Sequence, residues 1–243
     1  MGCTVFSVRN SKEILRDPVN LGFGLGFPVV LLLLLTAIQA NIPVEQFPLD
    51  RLTPGIAVFG LSFISLFSAT LISKDRASSF LARLFSSPLS ARDFILGYAL
   101  PLLPMGMVQG LVCYLAAFLL GLEPSWRVLA ALLSLLPAVL LFIGIGLLCG
   151  SLLNDKQVGG LCGALLTNLS AWLSGTWFDL DLVGGWFKSL AQALPFCHAV
   201  DAGRAALAGD WPGMVPHLLW VSGYAAVFLT AAVVAFRRKM SQR

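Results

Sequence analysis

Six apolar runs, each about twenty residues long, set the terms on which this chain can fold. They cover residues 20–40, 54–73, 94–120, 127–150, 158–177 and 214–236. A helix needs about 20 residues to cross the ~30 Å hydrocarbon core of a bilayer, and none of these runs carries an ionisable residue near its centre. Backbone groups in lipid must pair within their own segment, so each run is expected to be helical. The length of the runs excludes the short alternating strands of outer-membrane barrels. Only 12% of the 243 residues are charged, about half the share found in soluble domains. What lies between the runs is short and leaves no room for a soluble catalytic domain. The expectation is an all-α membrane protein with six transmembrane helices forming one domain over residues 1–243.

Basic residues orient the bundle, because Lys and Arg are retained on the cytoplasmic side. With both termini cytoplasmic, that side holds Arg9, Lys12, Arg16, Lys74, Arg76, Arg83, Arg92, Lys156, Arg237, Arg238, Lys239 and Arg243. The outer side is left with Arg51, Arg127, Lys188 and Arg204, four of the sixteen. Residues 1–17 then form a cytoplasmic amphipathic segment, residues 74–93 a cytoplasmic loop, and residues 178–213 an outer segment. The first apolar run is too long for the core of a cleavable signal. Phe6 stands where an acylation pattern starting at Gly2 needs Ser or Thr. The net charge of +4 follows from this sorting and from the anionic inner leaflet, with no call for nucleic acid.

Local punctuation supports the same layout. Asp17 before Pro18 is an N-cap with proline at the first helical position. Ser90-Ala91-Arg92-Asp93 reads as a capping box that opens the third run, within which Pro101 and Pro104 predict a kink. Glycines four apart at Gly22/Gly26, Gly106/Gly110, Gly146/Gly150 and Gly159/Gly163 would let helices approach closely.

Two segments outside the runs are amphipathic. In the cytoplasmic loop, Phe80, Leu81, Leu84 and Phe85 share one face of a short helix, with Arg76, Ser79 and Arg83 elsewhere on the turn. Such a helix either lies against lipid headgroups or seats in a groove on another protein. On the outer side, residues 173–209 carry Asp179, Asp181, Lys188, Asp201 and Arg204, which at a bilayer centre would together cost on the order of 10 kcal/mol. Trp186, Phe187, Leu190, Ala191 and Leu194 nevertheless recur at helical spacing, which describes a helix on the membrane surface or dipping into it and ended by Pro195. His198, Asp201 and Arg204 are three residues apart in turn and can meet on one helical face. Trp186, Phe187, Pro195, His198, Asp201 and Arg204 are therefore the candidates for an outer gate.

Chemistry-bearing motifs are sparse. His198 and His217 are the two histidines and the five cysteines are dispersed, so no metal ligand is assigned. No nucleophile turn or zinc-protease signature occurs, so no catalytic residue is assigned. A secondary transporter would place ionisable groups near the midplane of its spans. The polar groups within these runs are mostly uncharged, suiting an amphipathic or lipid-like cargo; Gln109 and Asn168 are singled out as path-lining.

The ordered set of small motifs resembles the permease subunit of a type-2 ABC exporter. Arg16-Asp17-Pro18 precedes the first run, which contains Pro28, and Pro54-Gly55 opens the second. Lys74-Asp75-Arg76, Ser87-Pro88-Leu89-Ser90 and Gly97 follow. Last come Leu173-Ser174-Gly175, Leu194-Pro195-Phe196, His198-Ala199, Asp201, Arg204 and Gly209. The chain departs from the family pattern at Asp75-Arg76-Ala77, where a Glu-Arg-Glu type sequence is usual, and at Tyr98, where a basic residue is usual. The resemblance implies that Arg76, Phe80, Leu81, Arg83, Leu84 and Phe85 belong to a coupling helix between helices 2 and 3. It also implies a re-entrant outer hairpin between helices 5 and 6, a second permease copy, identical or related, and a separate ATPase subunit that carries ATP and Mg. This chain has no phosphate loop and would bind no cofactor itself. The alternatives are a non-catalytic membrane assembly or interaction protein, or a secondary transporter.

Overall fold

A computed structural model describes residues 2–43, 46–78 and 90–241. Phe80, Leu81, Arg83, Leu84 and Phe85 lie outside the described residues, as does Pro88. All regular structure among the described residues is helical. The helices are α1 (Gly2–Leu15), α2 (Pro18–Gln39), α3 (Leu49–Ala77), α4 (Ala91–Leu119), α5 (Arg127–Leu152), α6 (residues 155–173), α7 (Leu180–Val183), α8 (Gly185–Ala193), α9 (Pro195–Ala208) and α10 (Trp211–Ser241).

Five helices are long and apolar enough to cross a membrane: α2, α3, α4, α5 and α10 over its Trp211–Lys239 part. The apolar run at 158–177 folds differently from expectation. It becomes α6, which starts earlier, in the polar turn Asp155-Lys156-Gln157, and stops at Leu173. Asp155, Lys156 and Gln157 occupy its first turn, so its apolar part is confined to residues 158–173 and is shorter than in the other five. Its centre, Gly159–Leu166, is π-helical, as is Gly22–Gly26 within α2.

The expected caps form. Asp17 accepts from the Asn20 backbone N–H at 3.1 Å, with Pro18 opening the helix. Ser90 and Asp93 exchange reciprocal bonds as a capping box, and Asn154 with Gln157 makes a second box at the start of α6. Helix α4 runs unbroken through Pro101 and Pro104.

Helix α3 is the axis of the bundle. Its most apolar stretch is 83% buried, against 22% for α2 and 17% for α10. Against it lies α5, and the reason is a pair of glycines. A Cβ on Gly146 would collide with the carbonyl oxygen of Ser65, and one on Gly150 with that of Ala69. Gly106 and Gly110 likewise receive Val139 and Leu135. Gly22, Gly26 and Gly159 face open space, so those spacings bring no helices together within this chain.

Candidate functional site

Two polar clusters stand out, one at each end of α3. One is built around Asp75, which sits in the last turn of the helix and is 3% exposed. A carboxylate buried there needs partners. Arg9 of α1 donates to both of its oxygens, at 2.6 and 2.8 Å. The Tyr98 hydroxyl of α4 donates at 2.8 Å. Burial pulls the Arg9 guanidinium down, but the hydrogen-bonded Asp75 outweighs it and holds Arg9 above its ordinary range. Glu13, one turn on, adds a second contact to Arg9 at 2.6 Å.

Helix α1 can reach this cluster because Phe6, Asn10 and Ile14 recur every four residues and form its buried face. The Phe6 ring packs edge-on against Phe94 and Tyr98, with centroids 5.7 and 4.8 Å apart. Gly97 makes room for that ring, since a Cβ there would strike it. Asn10, fully buried, donates to the Gly97 carbonyl at 3.0 Å. Tyr98 thus supplies a neutral donor to the buried carboxylate.

Beside Asp75, Arg76 turns back toward the bundle. Its guanidinium donates to the carbonyls of Gly150 and Leu153, at 2.8 and 3.1 Å, and so caps the C-terminus of α5. Ser73 donates to the Asp155 carboxylate at the start of α6. Lys239 of α10 reaches the Leu152 carbonyl at 3.4 Å. Both stems of the 74–93 loop are therefore anchored: the first to α1, α5 and α6, the second, at the start of α4, through Gly97 to Asn10 and through Tyr98 to Asp75.

At the other end, α7, α8 and α9 form a folded segment. Gly184 and Gly185 turn it with φ of 60° and 56°, a conformation in which a side chain would be strained. Asp181 and Lys188 pair across that turn, which raises the Lys188 ammonium above its ordinary range. Leu194 is extended, as a residue before proline must be, and Pro195 starts α9. Arg204 joins three elements: it donates to Asp201 at 3.2 Å, to the Gly175 carbonyl at 2.8 Å and to the Arg51 carbonyl at 3.2 Å. The Asp201–Arg204 contact follows the expected spacing.

His198 does not meet Asp201. Its Nε2–H donates to the Gln192 carbonyl at 2.9 Å, which leaves Nδ1 to accept from Nδ1–H of His217 at 2.7 Å. The ring is drawn toward α8 and α10, away from its own helix. His217 lies nineteen residues on, in a different helix, where no local spacing could have indicated it. Trp186 is exposed, whereas Phe187 packs on Phe178 with centroids 6.0 Å apart. A cavity of about 490 Å³ opens here, lined by Arg51, Asp179, Asp181, Lys188, Asp201 and His217 among others. Burial, with Asp201 nearby, pushes the Cys197 thiol up to about 12; it donates to the Ala191 carbonyl at 3.0 Å.

Gln109 and Asn168 occupy different surroundings. Gln109 is fully buried over Gly60 and Pro28 and donates to Cys113 Sγ at 3.3 Å. Asn168 is exposed and donates to the Ala164 carbonyl at 2.8 Å. It lines an open cavity of about 580 Å³ between α2 and α6, walled by Phe23, Phe27, Phe59, Phe63 and Trp172. Among the described residues, no group of three or more His, Cys, Asp or Glu could hold a metal ion.

The family described as ABC-2 type transporter matches residues 2–208. The chain belongs to this family. No curated protein matches it. The ABC-2 match begins with α1 and ends with α9, so the Asp75 cluster and the Arg204 cluster both fall within the part of the chain that defines the family. Membership makes this a multi-pass transport permease, the membrane subunit of an ABC transporter rather than its ATPase.

Proposed function

We propose that this permease is the membrane-spanning subunit of an ATP-driven exporter of amphipathic, lipid-like, drug or peptide cargo, powered by a separate ATPase subunit. The observation that carries this reading is the anchoring of the 74–93 loop. Asp75 and Arg76 at its first stem make bonds to α1, α4 and α5, so a force applied to the loop reaches three helices rather than dissipating in a tether. The coupling helix is assigned to this loop, with Phe80, Leu81, Leu84 and Phe85 as apolar anchors and Arg76 and Arg83 as its cations.

The remaining parts follow from the same reading. Helix α6 is the fifth of six spans, both termini are cytoplasmic in the cell membrane, and α7 to α9 form a re-entrant hairpin on the outer side. A second permease copy faces the open aromatic side between α2 and α6, and closed two-fold pairs are the commonest arrangement. An aromatic lateral cavity and a charged outer cavity on one chain match cargo that has an apolar and a polar part. ATP and Mg belong to the partner subunit.

The test is association. Phe80→Asp with Leu84→Asp should abolish co-purification with the ATPase while leaving membrane insertion intact. Retention of the partner by that double variant would remove the loop from its coupling role.

A further inference from the structure

Between α5 and α6 the chain turns within residues 152–155, and this turn is gripped from the side by α3. Arg76 holds the carbonyls of Gly150 and Leu153, and Ser73 holds the side chain of Asp155. Gly150 lets α5 touch the α3 backbone at Ala69 one turn below. The last turn of α3, the end of α5 and the first turn of α6 are therefore one mechanical unit. Of these bonds, the Ser73–Asp155 bond reaches α6 itself.

We propose that Ser73 and Asp155 are positioning residues for transport: a clasp through which movement of the loop at the end of α3 is delivered to α6. Three observations converge on this. Ser73 is 4% exposed and its single hydroxyl proton goes to the Asp155 carboxylate, with the Thr70 carbonyl of its own helix as the competing acceptor at 3.2 Å, so it is held in place on α3. Asp155 is exposed and sits in the first turn of α6, outside the packed core, so its carboxylate has no burial role. Immediately after that turn α6 becomes π-helical over Gly159–Leu166. Such segments are rare and concentrate at functional sites, and this one borders the aromatic cavity. Arg76 fixes the turn before α6, and Asp155 fixes α6 to α3. The second link adds a directional bond to the apolar contacts that Val158, Cys162 and Leu166 make with the core.

This inference rests on the ATP-driven reading above, and the experiment separates the two. Asn168→Cys, on the exposed face of α6, is introduced into a chain whose five native cysteines are replaced by alanine or serine. The complex with its ATPase is reconstituted in nanodiscs and labelled with a small maleimide, with and without Mg-ATP and vanadate. With the clasp intact, nucleotide trapping should change the labelling rate by about threefold or more, the size of a modest population shift. Asp155→Ala and Ser73→Ala should each bring that ratio close to one while ATP hydrolysis and assembly persist. Asp155→Asn, which keeps an acceptor oxygen for Ser73, should restore it. A nucleotide response undiminished in both alanine variants overturns the clasp alone. Absence of a response in the parent complex overturns the clasp together with the ATP-driven reading.

Discussion

Removing Arg9 should destabilise this protein more than removing the charge it neutralises. In Arg9→Ala the Asp75 carboxylate stays buried, with the Tyr98 hydroxyl left as a partner at 2.8 Å. Breaking one side of a buried pair costs about 3–5 kcal/mol, because the remaining charge is left uncompensated. The Arg9 side chain is 36% exposed, so water can partly replace it, and the lower end of that range, about 3 kcal/mol, applies. For a chain of this size that is roughly 6–12 °C in the unfolding midpoint. Asp75→Asn removes the charge but keeps an acceptor for Arg9 and Tyr98, and should cost only about 1–2 kcal/mol. The decisive variant is the double one. Arg9→Ala with Asp75→Asn leaves no buried charge and should be more stable than Arg9→Ala alone. Thermal unfolding in nanodiscs, followed by intrinsic tryptophan fluorescence, measures all three. A double variant at or below the midpoint of Arg9→Ala would show that Asp75 carries no desolvation penalty in the folded protein.

Three further outcomes follow from the packing. Gly146→Ala and Gly150→Ala each place a methyl group against a carbonyl of α3 and should cost several kcal/mol, on the order of an overpacked core, read as loss of folded protein on size-exclusion chromatography; Gly22→Ala, facing open space, should be tolerated. Cys197 should resist maleimide at neutral pH in the folded protein, because its thiol is buried and pushed up to about 12; rapid labelling would mean that α9 separates from α8. Arg204→Ala releases the Gly175 and Arg51 carbonyls together and should raise the labelling of a Trp177→Cys probe, whereas Trp186→Ala, already exposed, should leave it unchanged.

The features that could be read from the sequence are those that depend on neighbours a few residues away. The Asp17 and Ser90 caps, the Pro195 break and the Asp201–Arg204 contact each involve residues within a turn of one another, and each appears where its spacing placed it. Five spans were legible because hydropathy over twenty residues is a strong signal. The ends of the helix in the run at 158–177 were not legible, because hydropathy alone does not register that Gly175 adopts a positive φ of 67° and that Asn154 and Gln157 form a cap. These move the helix toward its polar end. The Arg9–Asp75 pair joins residues 66 apart, and nothing local marks it except the four-residue recurrence of Phe6, Asn10 and Ile14. His198 shows the opposite failure. Its spacing to Asp201 was favourable, yet a carbonyl on α8 and a ring on α10 compete for both nitrogens and win.

The distribution of bonds along α3 argues for which parts of the permease move together. At one end Arg204 links the carbonyl of Arg51, at the start of α3, to that of Gly175, just past α6. At the other end Ser73 and Arg76 link α3 to the start of α6 and the end of α5. Between these points Gly146 and Gly150 bring the α5 backbone against α3 so closely that sliding would force carbonyls into contact. Helices α3, α5 and α6 are thus joined by directional bonds or by backbone fit, both of which lose energy steeply with displacement. Helix α2 meets α3 through side chains, Phe27 against Phe59 and Phe63 with centroids 6.4 and 5.6 Å apart, Phe67 over Gly24 and Pro28 over Gly60. Ring contacts of this kind are tolerant of small translations. The aromatic cavity lies between the yielding α2 and the fixed α6. Its width should therefore change chiefly by displacement of α2, while the side bearing Asn168 follows α3.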